Sequence, residues 1–216
     1  MFLVQTGSLA VEGGREVIPV VNDLLKLPFV LKVATKDHHP PNHISFASNH
    51  EGKQPFTSFA TIRNPKNPEE AYESRLWPVH CVIGTTGNEL VHELDVGGVD
   101  LVLEKGTDPR VEMYSVFRPP LRNPPLRESE SGLGNVLKDK GVTDVYFVGL
   151  AGDYCVRFSA IDCAKVEGAG WNTYVIEEGI RCVDPGAGWE EARREMLDAG
   201  VKVVSMKDDV VQCISS

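Results

Sequence analysis

One stretch near the middle of the chain, from Asp144 to Cys163, constrains the fold most strongly. It opens with the β-branched and aromatic run 145–148, passes through a turn bounded by Gly149 and Gly152, and places apolar residues at helical spacing from Val156 onward. The pattern predicts a buried strand, a tight turn and a helix. A strand that leads directly into a helix is part of a βαβ unit, so the stretch favours a parallel sheet covered by helices.

The rest of the chain repeats this alternation. Helical patterns are predicted at 15–27, 88–94, 133–140 and 189–199, and strand patterns at 29–35, 99–105, 173–177 and 201–205. Two segments lack a regular pattern: the polar segment Asn42 to Glu73, and Arg118 to Ser131, whose prolines indicate an exposed excursion. The 216 residues suit a single domain. We therefore expect one three-layer α/β domain (residues 1–216) with a parallel sheet between helices.

Composition narrows the classes of partner and compartment. The formal charge of −9 argues against a nucleic-acid partner, because phosphate binding needs clustered Lys and Arg. Five scattered cysteines, an odd number, indicate a reducing compartment, so we expect a cytoplasmic protein, with a nuclear or peroxisomal location left open. No apolar run reaches the roughly 18 residues of a membrane span, and no secretory leader is recognisable.

Reactive side chains follow several of the predicted strands. Asp37 and His39 come after one strand, Lys105 ends another, and Cys155 follows a third at the start of a helix. Because the carboxyl ends of parallel strands share one edge of the sheet, we expect these side chains to lie together. A helix N-terminus favours the thiolate, so Cys155 is a candidate nucleophile, although a free cysteine is more commonly a small buried apolar residue.

A metal site is the second hypothesis. Asp37 and His39 lie two residues apart on an extended segment, so their side chains point to the same side, and His80 could supply a third ligand. One carboxylate and two imidazoles suit Zn²⁺, with Fe²⁺ or Mn²⁺ as alternatives. The competing interpretation places these histidines in solvated turns. Three further histidines, His38, His43 and His50, are interpreted as surface residues.

Other residues near these positions could complete a site. Lys105 beside a thiolate would stabilise the sulfur anion, although a lysine at a strand end is more often solvated. Trp77 and Tyr154 could form the walls of a pocket for a flat ring, but aromatic residues more often belong to the core. The segment from Gly149 to Gly152 offers the backbone N–H groups that an oxyanion hole requires.

Longer motifs add a resemblance that spans nearly the whole chain. The segments are 7–14 (GSLAVEGG), 35–40 (TKDHHP), 43–47 (HISFA), 76–81 (LWPVHC), 104–106 (EKG) and 148–156 (VGLAGDYCV). Together they resemble the nicotinamidases of the isochorismatase-like cysteine hydrolases, and look closest to the fungal ones. The combination of Trp-Pro-x-His-Cys with Asp-x-His-Pro is specific to this group.

The resemblance implies a role for each matching residue. It makes Cys155 the nucleophile and Lys105 the lysine of a triad, with backbone N–H groups of Ala151 and Cys155 as the oxyanion hole and a cis peptide between Leu150 and Ala151. The metal ligands are then Asp37, His39 and His80, and the residues around the pyridine ring are Phe2, Trp77 and Tyr154.

The chemistry implied by the resemblance is hydrolysis of nicotinamide to nicotinate and ammonia through a cysteine thioester, as in NAD salvage. One divalent metal, with Zn²⁺ preferred, takes the pyridine nitrogen and orients the ring. An aspartate normally takes the thiol proton and passes it to the departing amine. The expected partner is this small molecule, without nucleic acid or membrane, and homo-oligomer formation is left open.

The start of the chain departs from the family pattern. The family's first strand ends in Val-Asp-x-Gln-x-Asp-Phe, of which only the Phe matches, as Phe2, while Met1 stands in place of the last Asp. The triad aspartate has no counterpart, and neither Asp108 nor Asp153 matches its position. His38 replaces the usual aromatic residue within Asp-x-His.

Three alternatives follow from this departure: a nicotinamidase whose start was trimmed, a short form that binds metal and ring without turnover, and a sister hydrolase acting on another small amide. If the family order of strands holds, the first central strand of the sheet, between the strand 29–35 and the strand that precedes Cys155, is missing from this sequence. We then expect a sheet divided in two, weak or absent hydrolysis, and aggregation through unpaired strand edges.

Overall fold

The computed structural model describes residues 7–215. Its helices are α1 (Val17–Leu25), α2 (Leu133–Asp139), α3 (Arg157–Ala164), α4 (Ala187–Asp198) and α5 (Asp209–Gln212). Its strands are β1 (Val33–Asp37), β2 (Phe59–Asn64), β3 (Asn67–Arg75), β4 (Leu101–Lys105), β5 (Asp144–Leu150), β6 (Asn172–Arg181) and β7 (Lys202–Val204). None of the helices in this part of the chain is long and apolar enough to cross a membrane.

The parallel strands form two groups. β1 pairs with β4, and β5 pairs with β6, which pairs with β7, in each case in parallel. Within residues 7–215, no pairing joins β1 to β5; an apolar slot of ≈ 230 Å³ separates them. The division of the sheet at this place agrees with the expectation from the sequence.

Helices cover both faces of β5, as its alternating side chains require. Val145 and Phe147 pack in the cluster that contains residues of α2 and α3, whereas Tyr146 and Val148 pack in the cluster that contains Leu24 of α1. The three-layer α/β prediction is therefore confirmed. The predicted bounds of α1, α2 and α4 also agree with the structure to within about two residues, apart from a turn of 3₁₀ helix before α1.

The interpretation of 42–73 as irregular was wrong. β2 and β3 form an antiparallel hairpin that buries few side chains, so no apolar alternation marks them in the sequence. The buried Ile62 of β2 packs with Leu121 and Leu126 from the proline-rich segment. That segment is consequently not a simple exposed excursion: it lacks long regular structure, but two of its leucines anchor it to the hairpin.

The helix predicted at 88–94 is also absent. Only a 3₁₀ turn, Thr86–Asn88, forms there, and the Asn88 side chain is directed inward to backbone carbonyls instead of capping a helix. Asparagine commonly bonds to the backbone in non-helical conformations, which explains the wrong prediction.

Candidate active site

The candidate site lies at the carboxyl edge of the parallel strands. Asp37 is the last residue of β1 and Lys105 the last residue of β4, and the two are directly paired in the register of these strands. Cys155 lies in the turn that follows β5. The prediction that strand ends bring these three side chains together is therefore confirmed.

Lys105 links the acid to the thiol. Its ammonium nitrogen Nζ lies 2.5 Å from Asp37 Oδ1 and 3.4 Å from Cys155 Sγ, and it donates a hydrogen bond to the carbonyl of Met113 at 2.9 Å. Burial alone would lower the pKa of Lys105, but the Asp37 carboxylate and the nearby sulfur raise it. Lys105 is therefore a charged donor directed at the sulfur, not a solvated strand end.

Neighbouring positive charge lowers the pKa of Asp37, just as neighbouring negative charge raises that of Lys105. Burial would raise it, yet the Lys105 ammonium and the His39 imidazole hold the pKa of this carboxyl well below its usual value. Asp37 is thus an anion with two functions in the geometry: Oδ1 faces Lys105, and Oδ2 faces the imidazoles of His39 and His80 at 3.6 Å and 3.8 Å.

Cys155 occupies a wide turn that precedes α3. The backbone N–H groups of Tyr154 and Val156 both donate to the carbonyl of Ala151 at 3.1 Å, and the peptide between Leu150 and Ala151 is cis, as expected. The turn is a π-helical segment, Gly152–Val156, that runs into the α-helix. It places Ala151 and Cys155 at the two ends of one turn.

The expectation of a lowered thiol pKa is not supported. Removal of the Cys155 sulfur from water raises its pKa more than the Lys105 ammonium lowers it, and the Asp37 carboxylate raises it further. Desolvation disfavours the charged form of any acid, and here it outweighs the helix terminus. The thiolate of Cys155 consequently depends on the Lys105 contact.

His39 and His80 each use one ring nitrogen on the backbone. His39 Nδ1 lies 2.8 Å from the carbonyl oxygen of Gly106, and His80 Nδ1 lies 2.8 Å from that of Pro78. A carbonyl only accepts, so each Nδ1 carries the proton and each Nε2 presents a lone pair. The two Nε2 atoms converge with a carboxylate oxygen of Asp37, with all three atoms within 4.8 Å of one another.

The three side chains suit a cation. His39 Nε2 is buried and makes no hydrogen bond, which is costly unless a ligand satisfies it. Burial and the neighbouring His39 lower the pKa of His80 to about 4, so His80 is neutral near pH 7. Burial opposes protonation of His39, but the neighbouring Asp37 carboxylate raises the pKa of this imidazole. A proton therefore competes with a metal mainly at His39.

The interpretation of His43 as a surface residue was wrong. It is fully buried, its ring lies against that of His39 with centroids 4.1 Å apart, and Nδ1 is 2.7 Å from Ser45 Oγ. Burial and the charge of His39 lower the pKa of His43 to about 3. His43 thus holds one side of the His39 ring as a neutral neighbour, whereas His38 and His50 are only half-buried.

The two predicted aromatic walls contact each other. Trp77 and Tyr154 meet edge to face, with ring centroids 4.8 Å apart and an interplanar angle of 86°. Trp77 is held in place by Tyr114, whose hydroxyl accepts the indole N–H at 2.9 Å. A flat ring can enter between Trp77 and Tyr154 only after one of them moves. Phe2, the third predicted residue of this group, lies outside the described residues.

A small cavity of ≈ 20 Å³, room for about one water, joins these parts. It is bordered by the site residues already described and by Leu9, Val11, Glu112 and Val183. Sequence reasoning missed these four. Glu112 could have been noticed in the sequence, because it is a single charged residue between the apolar Val111 and Met113. The three apolar residues carry no such signal.

The two aspartates that did not match the triad position have other partners. Asp153 is buried, and its carboxylate accepts the backbone N–H groups of Val183 and Asp184 at 2.9 Å and 2.8 Å. Asp108 pairs with Arg110 at 2.7 Å. The carboxylate seen in contact with Lys105 is that of Asp37.

Comparison with known proteins shows the family to which the chain is similar. The sequence model of one protein family, the isochorismatase domain, matches residues 3–208 of this chain. A nicotinamidase of Acinetobacter baylyi is 41% identical over 205 residues, which cover 95% of this chain and 88% of the relative.

Two solved structures are also similar. The yeast nicotinamidase bound to the inhibitor nicotinaldehyde superposes with a TM-score of 0.84 at 30% identity and covers 94% of each chain. The pyrazinamidase of Pyrococcus horikoshii, solved in complex with zinc, has a TM-score of 0.67 at 32% identity and covers 94% of this chain and 92% of its own.

Proposed function

The chain belongs to the isochorismatase family, and we propose that within it this protein is a nicotinamidase, hydrolysing nicotinamide to nicotinate and ammonia. The observation that carries the proposal is the contact of Lys105 with both Cys155 and Asp37, next to two imidazoles that present Nε2 atoms. A nucleophile, a cation that supports it and an orienting site thus lie at one edge of the sheet.

Cys155 acts as the nucleophile in this proposal. The Lys105 ammonium, 3.4 Å from the sulfur, offsets the desolvation that disfavours the thiolate. Attack forms a bond between the sulfur and the amide carbon, and the developing oxyanion accepts the backbone N–H groups of Ala151 and Cys155. The C–N bond then breaks, the thiol proton leaves with the nitrogen as part of ammonia, and a thioester remains. Water hydrolyses this thioester to nicotinate and restores the thiol.

Asp37, His39 and His80 hold one divalent metal in the same proposal. Their donor set of one carboxylate and two imidazoles leaves coordination positions open and fits Zn²⁺ well, with Fe²⁺ or Mn²⁺ as alternatives. When bound, such an ion supplies a Lewis-acid contact for the pyridine nitrogen, which fixes the orientation of the ring. The similarity to a pyrazinamidase solved with zinc supports this choice.

Trp77 and Tyr154 form the ring-binding part of the site, together with Phe2. Their edge-to-face contact and the small size of the cavity mean that substrate entry separates them. Burying an aromatic ring against such side chains contributes about 0.5–1.5 kcal/mol per ring pair beyond the burial of apolar area. We therefore expect part of the substrate's binding free energy to be used in moving these rings apart.

The decisive experiment measures ammonia release from nicotinamide by the purified, Zn²⁺-loaded chain, with Cys155→Ala and Lys105→Met as matched variants. We expect release by the wild type and a loss of about a thousandfold in Cys155→Ala. Binding of nicotinamide without ammonia release would favour the alternative that binds without turnover. Faster release from another small amide would favour the sister hydrolase.

A further inference from the structure

The side chain of Asn88 connects the two segments that carry the candidate metal ligands. Asn88 is 5% exposed, and its amide nitrogen donates to the carbonyl of Asp37 at 2.6 Å and to that of Cys81 at 2.9 Å. Its Oδ1 lies 2.8 Å from His38 Nδ1. Both N–H groups of the Asn88 carboxamide therefore donate to backbone carbonyls of these two segments.

The two carbonyls belong to residues at the site itself. Asp37 supplies one candidate ligand and lies two residues before His39, while Cys81 directly follows His80. Besides Asn88, a short parallel bridge links the segments here: the N–H of His39 donates to the Cys81 carbonyl at 3.1 Å, and the N–H of Ile83 donates to the His39 carbonyl at 3.0 Å. The Cys81 carbonyl thus accepts from both His39 and Asn88, and it is the point at which the three candidate ligands are tied together.

The backbone at Cys81 needs such support. Its φ is +47°, in the left-handed region that non-glycine side chains rarely adopt. Residues in this region cost about 1–3 kcal/mol and persist where the surrounding structure holds them in place. Because the peptide that leaves His80 passes through this turn, the bond from Asn88 to the Cys81 carbonyl acts on the direction of the His80 ring.

We propose that Asn88 is a positioning residue for the metal site, which fixes the spacing of His80 relative to Asp37 and His39. The proposal rests on the metal site of the proposed function and adds a residue outside the ligand set. Groups that hold metal ligands from behind commonly change metal affinity by about 10- to 100-fold when they are removed. Asn88 does this through backbone carbonyls, without contacting the ion.

The test uses the full chain, stripped of metal and titrated with Zn²⁺ in competition with a chelating dye. Asn88→Ala should weaken Zn²⁺ binding about tenfold or more. The control is Asn64→Ala: Asn64 is also buried and its amide nitrogen also donates twice, to Glu70 Oε2 at 2.6 Å and to the carbonyl of Pro124 at 2.8 Å. These partners lie in the hairpin and in the proline-rich segment, away from the candidate ligands, so this variant should lose stability but keep the wild-type affinity.

A second measurement separates positioning from general destabilisation. The absorption spectrum of the Co²⁺-loaded protein reports coordination geometry, and it should change in Asn88→Ala but not in Asn64→Ala. Metal-free melting curves of both variants measure the loss of stability alone. If Asn88→Ala does not fold, Asn88→Ser, which keeps a hydroxyl donor, takes its place with the same expectation.

The outcomes are distinct. Wild-type Zn²⁺ affinity and an unchanged Co²⁺ spectrum in the folded Asn88 variant would overturn the inference and leave the proposed metal site intact. If the wild-type chain binds no Zn²⁺, and substitution of His39 changes nothing, the proposed metal site itself is wrong.

Discussion

Adding one methyl group at Gly106 should weaken metal binding at the candidate site. Gly106 follows β4 directly, has a φ of +68°, and its carbonyl accepts the His39 Nδ1 proton at 2.8 Å. A Cβ built at this position would lie 2.4 Å from His39 Cε1 and 2.7 Å from Nδ1. Because carbon atoms pack at about 3.5 Å or more, the ring must retreat by about 1 Å. Metal–ligand distances tolerate only about 0.2 Å, so His39 would lose its place as a ligand.

The size of the effect follows from two separate terms. The left-handed backbone conformation costs an alanine about 1–2 kcal/mol of stability. The displaced ring should weaken metal binding by about 10- to 100-fold, or about 1.4–2.8 kcal/mol. The first term acts on folding and the second on metal affinity, so the two can be measured independently.

Gly141→Ala provides the matched control. Gly141 has a φ of +64°, close to that of Gly106, but a Cβ there would meet no atom within 4 Å. Both variants should therefore melt at lower temperature than the wild type, whereas only Gly106→Ala should lose Zn²⁺ affinity in a dye-competition titration. Equal affinities in Gly106→Ala, Gly141→Ala and the wild type would refute the assignment of His39 Nε2 as a ligand.

Three further predictions address the thiol, the protonation of the site and the aromatic wall. Cys155→Ser should reduce ammonia release about a thousandfold, while Cys213→Ser, at an exposed cysteine, should leave kcat unchanged. The pKa of His39 is raised, and below it a proton occupies the Nε2 atom that the metal needs. Zn²⁺ affinity should therefore fall by up to about tenfold per pH unit below that pKa. Zn²⁺ titrations from about pH 8 to pH 5 measure this, and an affinity that does not change with pH would contradict it. Tyr114→Phe removes the acceptor of the buried Trp77 N–H. It should raise KM and lower the unfolding free energy by about 1–3 kcal/mol without changing Zn²⁺ affinity. Steady-state kinetics measures the KM, and denaturant titration measures the unfolding free energy.

The sequence by itself determined the features that depend on local pattern. The run 145–148, the flanking glycines and the helical spacing after Val156 predicted the strand, turn and helix around Cys155, because each signal lies within a few residues. The meeting of Asp37, Lys105 and Cys155 also followed, since the carboxyl ends of parallel strands share an edge whatever their order. The polar hairpin escaped prediction because its strands bury few side chains and carry no apolar period.

Only the tertiary structure decided the electrostatics and the orientation of the site. The raised pKa of Cys155 results from removal of its sulfur from water, which depends on residues distant in sequence. The direction of His39 depends on the carbonyl of Gly106, and the link between Asp37 and Cys81 depends on Asn88, 51 and 7 positions away along the chain. Such contacts join segments that are distant along the chain and produce no periodic pattern in the sequence, so only the folded structure identifies them.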